Sequence, residues 1–323
     1  MEKFDTVIIG AGPAGLSAAK VLGEGGKKVA IFEKNKEIGP KVCAGGITHK
    51  VFEVGIPDFL IERKFYSMKV HLWGKSVEMK RERVFVATIE RKALGQWMKE
   101  QLPRNVKIEN GQEVVDIRDN FIILGNGRRV GFDCLIGADG SLSLTRRKLQ
   151  VPTKKILSAI QYIIPKRLAS PEIFLEPDLF GFGYAWIFPH KDYTSVGCGA
   201  NLNSHKTENL KERFYSWLTE NNIDVSNAKL ESFPINVDYR GFQFGNKFLV
   251  GDAGGLAWSF NGEGIYFAII SGQEVARKIL DPDYRLPKLK RVLRKKILGE
   301  KSERILLFLK SEALTKFIIK KFI

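Results

Sequence analysis

The sequence predicts an α/β fold, a doubly wound nucleotide-binding domain interrupted by a strand-rich lobe and followed by a helical tail. Three observations carry it. A short apolar strand, a glycine-rich turn and a helical pattern open the chain. Two later apolar strands, at 132–136 and 247–250, each run into a turn with an acid among glycines. Between them lies an alternating aromatic stretch, and sharply segregated elements of this kind point to α and β layers rather than a sandwich or a bundle. The 323 residues, 44% hydrophobic and 27% charged, suit one large or two interlocked domains with a sizeable core.

The opening unit is the most specific. Residues Asp5 to Ile9 form a β-branched apolar run, followed by Gly10-Ala11-Gly12-Pro13-Ala14-Gly15 and a helical pattern through Leu16, Ala19 and Leu22. Gly10 permits the tight turn, Gly12 lets the backbone approach a pyrophosphate, and Gly15 lets the helix pack close on the strand. The helix N-terminus then offers N–H groups and partial positive charge to phosphates. A second strand from Lys28 to Phe32 ends in Glu33, which stands 18 residues after Gly15, near the spacing of the acid that binds a ribose hydroxyl. An acid there opposes a 2′-phosphate, so the ligand read from this Rossmann-like unit is FAD or NAD.

The next elements choose between them. The strand 132–137 ends in Ala138-Asp139-Gly140, with Ser143 and Arg146 following, and the strand 247–250 ends in Gly251-Asp252-Ala253-Gly254-Gly255. Asn261-Gly262-Glu263-Gly264-Ile265 then opens an apolar helix through Phe267, Ile270, Val275 and Ile279. In these residues, over roughly 1 to 280, the chain resembles the FAD-dependent hydroxylase-type flavoprotein superfamily. The resemblance implies an FAD-binding domain with an inserted lobe, Asp252 on the ribityl chain and the Gly264-Ile265 helix start aimed at the flavin. A helix N-terminus there stabilises the negative charge of a reduced flavin. It also implies Arg91 beside the ribityl and phosphate region, against the alternative of an exposed Arg opening a helix. Ala14, Lys34, Val114 and Asp139 complete the cofactor contacts carried over by the resemblance.

Two further motifs narrow it. Cys43-Ala44-Gly45-Gly46 and Tyr184-Ala185-Trp186-Ile187-Phe188-Pro189 are similar to the Cys-x-Gly-Gly loop and the Pro-x-x-Tyr-x-Trp-x-Phe-Pro segment of the geranylgeranyl reductase family. Gly181 stands where that family has proline. The resemblance implies that Cys43, Ala44 and Gly46 lie at the flavin, that Tyr184, Trp186, Phe188 and Pro189 hold the substrate, and that Cys43, Tyr184 and Trp186 serve the chemistry. Alternating aromatics also describe an ordinary half-buried strand, since Tyr184, Trp186 and Phe188 share one face. Cys43 likewise reads as a small buried residue, and Cys134 and Cys198 as inert strand positions.

The implied activity is reduction of carbon–carbon double bonds in a polyprenyl lipid or quinone. An isolated trisubstituted alkene has no carbonyl to polarise it, so hydride delivery must accompany protonation that builds positive charge on a tertiary carbon. Aromatic faces stabilise cations, and a slot with apolar walls keeps water out. Of the four histidines, His49, His71 and His205 show no ligand spacing, no metal site is expected, and His190 is a candidate proton donor only because it follows the motif. Two alternatives stand beside this reading: an aromatic hydroxylase of the same fold, and a flavin electron-transfer protein at the membrane.

The domain organisation expected is an FAD-binding domain at 1–65, 88–155 and 240–283, a substrate lobe at 66–87 and 156–239, and a basic helical tail at 284–323. Three cysteines are too few for a disulfide framework, no signal-peptide layout opens the chain, and the reducing cytoplasm is the expected compartment. No apolar run reaches the roughly 18 residues needed to cross a bilayer. The charge of +16, from 52 Lys and Arg against 36 Asp and Glu, permits contact with anionic lipid or an acidic electron carrier. With no second glycine fingerprint for NAD(P)H, the reductant is NAD(P)H acting directly at the flavin or a carrier protein. The tail holds Leu306, Leu309, Ala313 and Phe317 in an apolar arc broken by Lys310, Lys320 and Lys321, and long lysines snorkel, so it reads as a membrane-surface helix, a packing helix or a dimer contact. Nucleic-acid binding is not expected, because no known module accompanies the charge.

Overall fold

A computed structural model describes residues 1–72, 74–181, 183–201, 209–259 and 262–309. His205, Asn261 and residues 310–323 lie outside the described residues, and with them most of the proposed tail arc.

The first sheet has eight strands. Glu2–Ile9 lies at its centre, parallel to Val29–Glu33 on one side, with Ile9 opposite Phe32, and to Arg129–Gly137 on the other, with Ile9 opposite Gly137. Lys247–Leu249 extends it beyond Gly137, and Val106–Asn110 extends it beyond Glu33, both in parallel. Val7, Ile8, Val29, Ile31, Leu135 and Ile136 are wholly buried, as expected of strands covered on both faces. Parallel strands end at the same edge of a sheet. The turns after Ile9, Glu33, Gly137 and Leu249 therefore gather on one side, which is where ligands bind in open α/β sheets.

Helices Pro13–Glu24 and Ile265–Leu280 cross on one face of this sheet. Their approach depends on Gly272, where a Cβ would stand 2.2 Å from the carbonyl oxygen of Ala14. The helix Arg91–Glu100 opens at Arg91, the position read from the sequence as a possible helix start.

The second sheet has seven strands, ordered Lys229–Asn236, Ile156–Ile164, Thr194–Asn201, Tyr184–Pro189, Glu172–Leu175, Ser67–Leu72 and Lys75–Lys80. Its period-two alternation divides the central strand. Ala185 and Ile187 join the core under helix Leu210–Glu220, against Phe214 and Trp217. Trp186 and Phe188 join a separate cluster on the opposite face, with Tyr184 packed against it. A small three-stranded sheet, Gly46–Thr48, Val86–Ile89 and Ile61–Phe65, joins the two layers and carries the end of the Cys43 loop.

The helix Pro287–Leu309 packs back on Ile265–Leu280. Among the described residues no helix is long and apolar enough to cross a membrane.

Candidate functional site

A cavity of about 890 Å³ runs between the edge of the parallel sheet and the aromatic face of the antiparallel one. Gly10, Gly12, Ala14, Glu33, Lys34, Val114 and Asp139 line one end of it. Cys43, Ala44, Gly46, Arg91, Asp252, Gly264, Ile265, Tyr184, Trp186 and Phe188 line the remainder. Residues from position 10 to position 265 thus converge on one space. Gly15 and Pro189 do not reach it: Gly15 packs against the turn, and the Pro189 carbonyl accepts a hydrogen bond from Thr88 Oγ1 at 3.0 Å.

The glycines have separable reasons. Gly10 takes φ +99°, and a Cβ there would lie 2.5 Å from the Ala138 carbonyl oxygen, so the turn accepts no other residue. At Gly15 a Cβ would meet Gly10 O at 2.1 Å, which closes the helix onto the strand. Gly12 has open space above it, and as the helix N-cap it provides no side-chain cap of its own.

The acids differ in what occupies them. Glu33 accepts from Ala11 N at 2.8 Å and from Asn35 N at 2.9 Å, so it braces the glycine turn against the second strand. Asp139 accepts from Ser143 Oγ at 2.6 Å, Thr145 N at 2.9 Å and Thr145 Oγ1 at 3.1 Å, pinning the turn into the short helix Leu144–Lys148. Burial pushes the Asp139 carboxyl above the usual carboxylate range, and its hydrogen bonds from Ser143 and Thr145 only partly oppose that. Asp252 behaves oppositely. Burial would raise it, but Lys41 Nζ at 2.8 Å, the nearby Arg91 charge and Ser141 Oγ at 3.3 Å hold it below its ordinary value.

Arg91 supplies a test of what this end of the cavity can hold. Its Nε is buried with no hydrogen-bond partner among the described residues, at a wall of the cavity. A buried guanidinium N–H calls for an acceptor. Together with the open backbone at Gly12 and the uncapped starts of two helices, it fits the phosphate and ribityl oxygens of FAD.

At the other end the two short motifs meet. A Cβ on Gly46 would lie 2.6 Å from Phe188 Cε2, and one on Gly45, at φ +69°, would lie 2.3 Å from His190 Cε1. The glycines of the Cys43 loop are thus the floor on which the rings after Trp186 rest. Gly45 N donates to Cys43 Sγ at 3.4 Å. Trp186 stacks near Phe188, with ring centroids 6.4 Å apart, and lies 5.9 Å from the Tyr184 ring. Burial raises the Tyr184 phenol, and the neighbouring Cys43 and Glu263 add to the shift, so it stays protonated. Cys134 and Cys198 lie elsewhere in strands, both with thiols raised by burial.

His190 does not line the cavity, which corrects its reading as a proton donor. It is buried behind the Cys43 loop, with Nδ1 at 2.6 Å from Glu62 Oε2 and Nε2 at 3.0 Å from the Ala44 carbonyl. Both ring nitrogens are thus engaged, and the ring clamps the loop. Gly181, the departure from the expected proline, takes φ +56°, a conformation closed to proline.

Several lining residues carry no motif and were not legible in advance. Gln161, from the strand Ile156–Ile164, accepts from Ser195 Oγ, which itself accepts from Trp186 Nε1, each at 3.0 Å, and it donates to the Cys43 carbonyl at 3.4 Å. It ties the tryptophan to the cysteine loop. Lys41, Phe233, Ile235 and Glu263 also face the space, and only Glu263 lies within a stretch the sequence had marked.

Residues 1–125 match the Thi4 family. Over 297 residues the chain is 27% identical to a geranylgeranyl diphosphate reductase from Rhodobacter capsulatus, a match covering 85% of this chain and 74% of that one. It is 29% identical over 318 residues to digeranylgeranylglycerophospholipid reductase 1 of Methanosphaera stadtmanae, covering 90% of this chain and 79% of that one. A solved structure of a geranylgeranyl bacteriochlorophyll reductase-like protein from Thermoplasma acidophilum is similar with a TM-score of 0.78 at 21% identity, covering 97% of this chain and 88% of that one, a likeness of fold.

Proposed function

The chain belongs to the geranylgeranyl reductase family of FAD-dependent oxidoreductases, and we propose that its substrate is a polyprenyl group whose carbon–carbon double bonds it reduces. The supporting observation is that Tyr184, Trp186 and Phe188 line the same cavity as Gly12, Arg91 and Asp252. FAD, when bound, supplies the two electrons of the reduction as a hydride.

The chain's own residues do the rest. The aromatic wall, with Ile160 and Ile235, gives an extended apolar chain a dry slot. As positive charge grows on a tertiary carbon, the faces of Tyr184 and Trp186 stabilise it by about 0.5 to 2 kcal/mol each. Gln161 and Ser195 fix the tryptophan plane through its Nε1, and Cys43, neighbouring Tyr184, lines the same space. Lys41 and Arg91 balance Asp252 at the cofactor end.

The substrate in this reading is a prenylated lipid or quinone, and the reductant is NAD(P)H or an acidic carrier protein drawn by the basic surface. The exposed face of Pro287–Leu309 carries Lys288, Lys290, Arg291, Arg294 and Lys295 beside Ile297 and Leu298, which suits peripheral contact with an anionic membrane. The deciding measurement is anaerobic: purified protein carrying FAD is reduced with dithionite and mixed with geranylgeranyl compounds. Reoxidation of the flavin with a mass gain of two hydrogens in the lipid is expected. Flavin that stays reduced with every prenyl compound, yet turns over oxygen with a phenol, would overturn it in favour of a hydroxylase.

A further inference from the structure

We propose that Glu263 is the acid that protonates the alkene and that Lys50 reloads it with protons from outside the cavity, a step that rests on the prenyl-reductase reading above. The reduction needs a proton as well as a hydride, and the groups able to supply one can be taken in turn. Glu33 and Asp139 stand at the nucleotide end, with both oxygens of each accepting hydrogen bonds from their own turns. Asp252 is held below its ordinary value, as a carboxylate, by Lys41, the nearby Arg91 charge and Ser141 at the cofactor end. Tyr184 has its phenol pushed to weaker acidity by burial. His190 is behind the loop.

Of the carboxyl groups named so far Glu263 remains, and its position is apt. It lines the cavity in the segment Gly262–Gly264, where a Cβ on Gly262 would lie 3.8 Å from Tyr184 Oη, so it borders the aromatic end rather than the nucleotide end. Its carboxylate accepts from Thr48 Oγ1 through Oε1 and from Lys50 Nζ through Oε2 at 2.8 Å. The Glu263 side chain is 7% exposed and that of Lys50 20%, so the ion pair spans from the cavity wall toward solvent. Lys50 also lies 5.1 Å over the Trp258 ring.

An apolar chain entering the cavity displaces water from one side of this pair. Charge is costly to bury, and for an ion pair the alternative is internal transfer of the proton, leaving neutral lysine and a carboxylic acid. The substrate thereby arms its own acid. One alkene carbon then takes the proton from Glu263 and the other takes a hydride from reduced FAD; two C–H bonds form, the π bond is lost, and the flavin is oxidised by two electrons. Glu263 is left as carboxylate beside neutral Lys50, and a proton from water on the exposed side restores the starting pair.

The test uses the full chain with FAD bound. Oxidised wild-type protein mixed with saturated phytanyl diphosphate, which binds but cannot be reduced, is expected to develop a protonated-carboxyl infrared band that Glu263→Gln lacks. In single turnovers with geranylgeranyl diphosphate, Glu263→Gln is expected to slow reoxidation at least 100-fold with its flavin spectrum unchanged, and Glu263→Asp to recover at least tenfold of that. Lys50→Met is expected to slow turnover about tenfold, and it carries the test if Glu263→Gln does not retain FAD. A Glu263→Gln or Lys50→Met rate within threefold of wild type, or no carboxyl band on phytanyl binding, overturns the acid assignment while the reductase reading stands. Wild-type flavin that no prenyl alkene reoxidises overturns the reductase reading, and the acid assignment with it.

Discussion

The ring of Phe188 occupies the space that a side chain on Gly46 would need, its Cε2 lying 2.6 Å from where that Cβ would stand. Two motifs separated by more than a hundred residues are thus complementary surfaces of one contact. Gly46→Ala is expected to push Phe188 into the cavity, costing about 1 to 3 kcal/mol of stability as overpacking does. FAD should remain bound while prenyl turnover falls. Adding Phe188→Leu to Gly46→Ala should recover at least half of the lost stability, measured by urea unfolding. Equal losses in the single and double variants would show that the ring is not what Gly46 accommodates.

Asp139 and Asp252 predict opposite responses to pH. Asp252 is held below its unfolded value, near 3.9, so its stabilisation is present above that value and is lost as pH falls through the lower folded one. Asp139 is held above its unfolded value, so its contribution is full below about pH 3.9 and is lost as pH rises through the folded one. Lys41→Met should therefore flatten the acid limb of apoprotein stability. Asp139→Asn should remove the loss on the rising side while weakening the turn by about 1 to 2 kcal/mol. Urea midpoints across a pH series read both slopes, and parallel curves for wild type and Lys41→Met would refute the first.

Buried His190 bonds a half-buried Glu62 on one side and holds the Ala44 carbonyl on the other. Removing one partner strands the other. His190→Ala is expected to cost about 1 to 3 kcal/mol and to free the loop, so that Cys43 reacts with iodoacetamide several-fold faster in the folded protein. Unchanged alkylation with lowered stability would mean that the clamp supports the core but not the loop.

Asp252 also anchors the cofactor reading. Asp252→Ala should weaken FAD binding at least tenfold by fluorescence titration, since it removes a cavity wall carboxylate and leaves Lys41 and Arg91 without their common counter-charge. Retained affinity would move the ribityl contact to another residue.

The helix Pro287–Leu309 gives a fifth handle. Protein mixed with phosphatidylglycerol vesicles should co-sediment at low salt and release as salt rises, because screening weakens contacts of exposed Lys and Arg. The Ile297→Asp, Leu298→Asp double variant should lose binding at least fivefold. Binding indifferent to that change would place the contact elsewhere on the basic surface.

Much of this site was legible because its parts are local. Gly10, Gly12 and Gly15 announce their turn within six residues, and Tyr184, Trp186 and Phe188 announce a shared face by alternation alone. What could not be read is what each part touches. Nothing near Lys41 in the chain indicates Asp252, 211 residues away, and nothing near Gln161 indicates Trp186. His190 misled for a related reason: two residues beyond Phe188 it keeps to the same side as the aromatic stripe, but there the Cys43 loop covers it, its Nε2 lying 3.0 Å from the Ala44 carbonyl, and shuts it off from the cavity.

The ordering of the parallel sheet has a consequence for how the protein is made. Lys247–Leu249 seats beside Arg129–Gly137, and Ile265–Leu280 crosses the first helix through Gly272, so the wall containing Asp252 and Gly264 is supplied by segments that leave the ribosome long after the glycine turn. Until roughly residue 280 has emerged, the nascent chain has its glycine turn but only half a cradle, with apolar strand edges uncovered. Such long-range pairing is slow and leaves sticky surface exposed meanwhile. The flavin can bridge the late segments to the early ones only once both have been made.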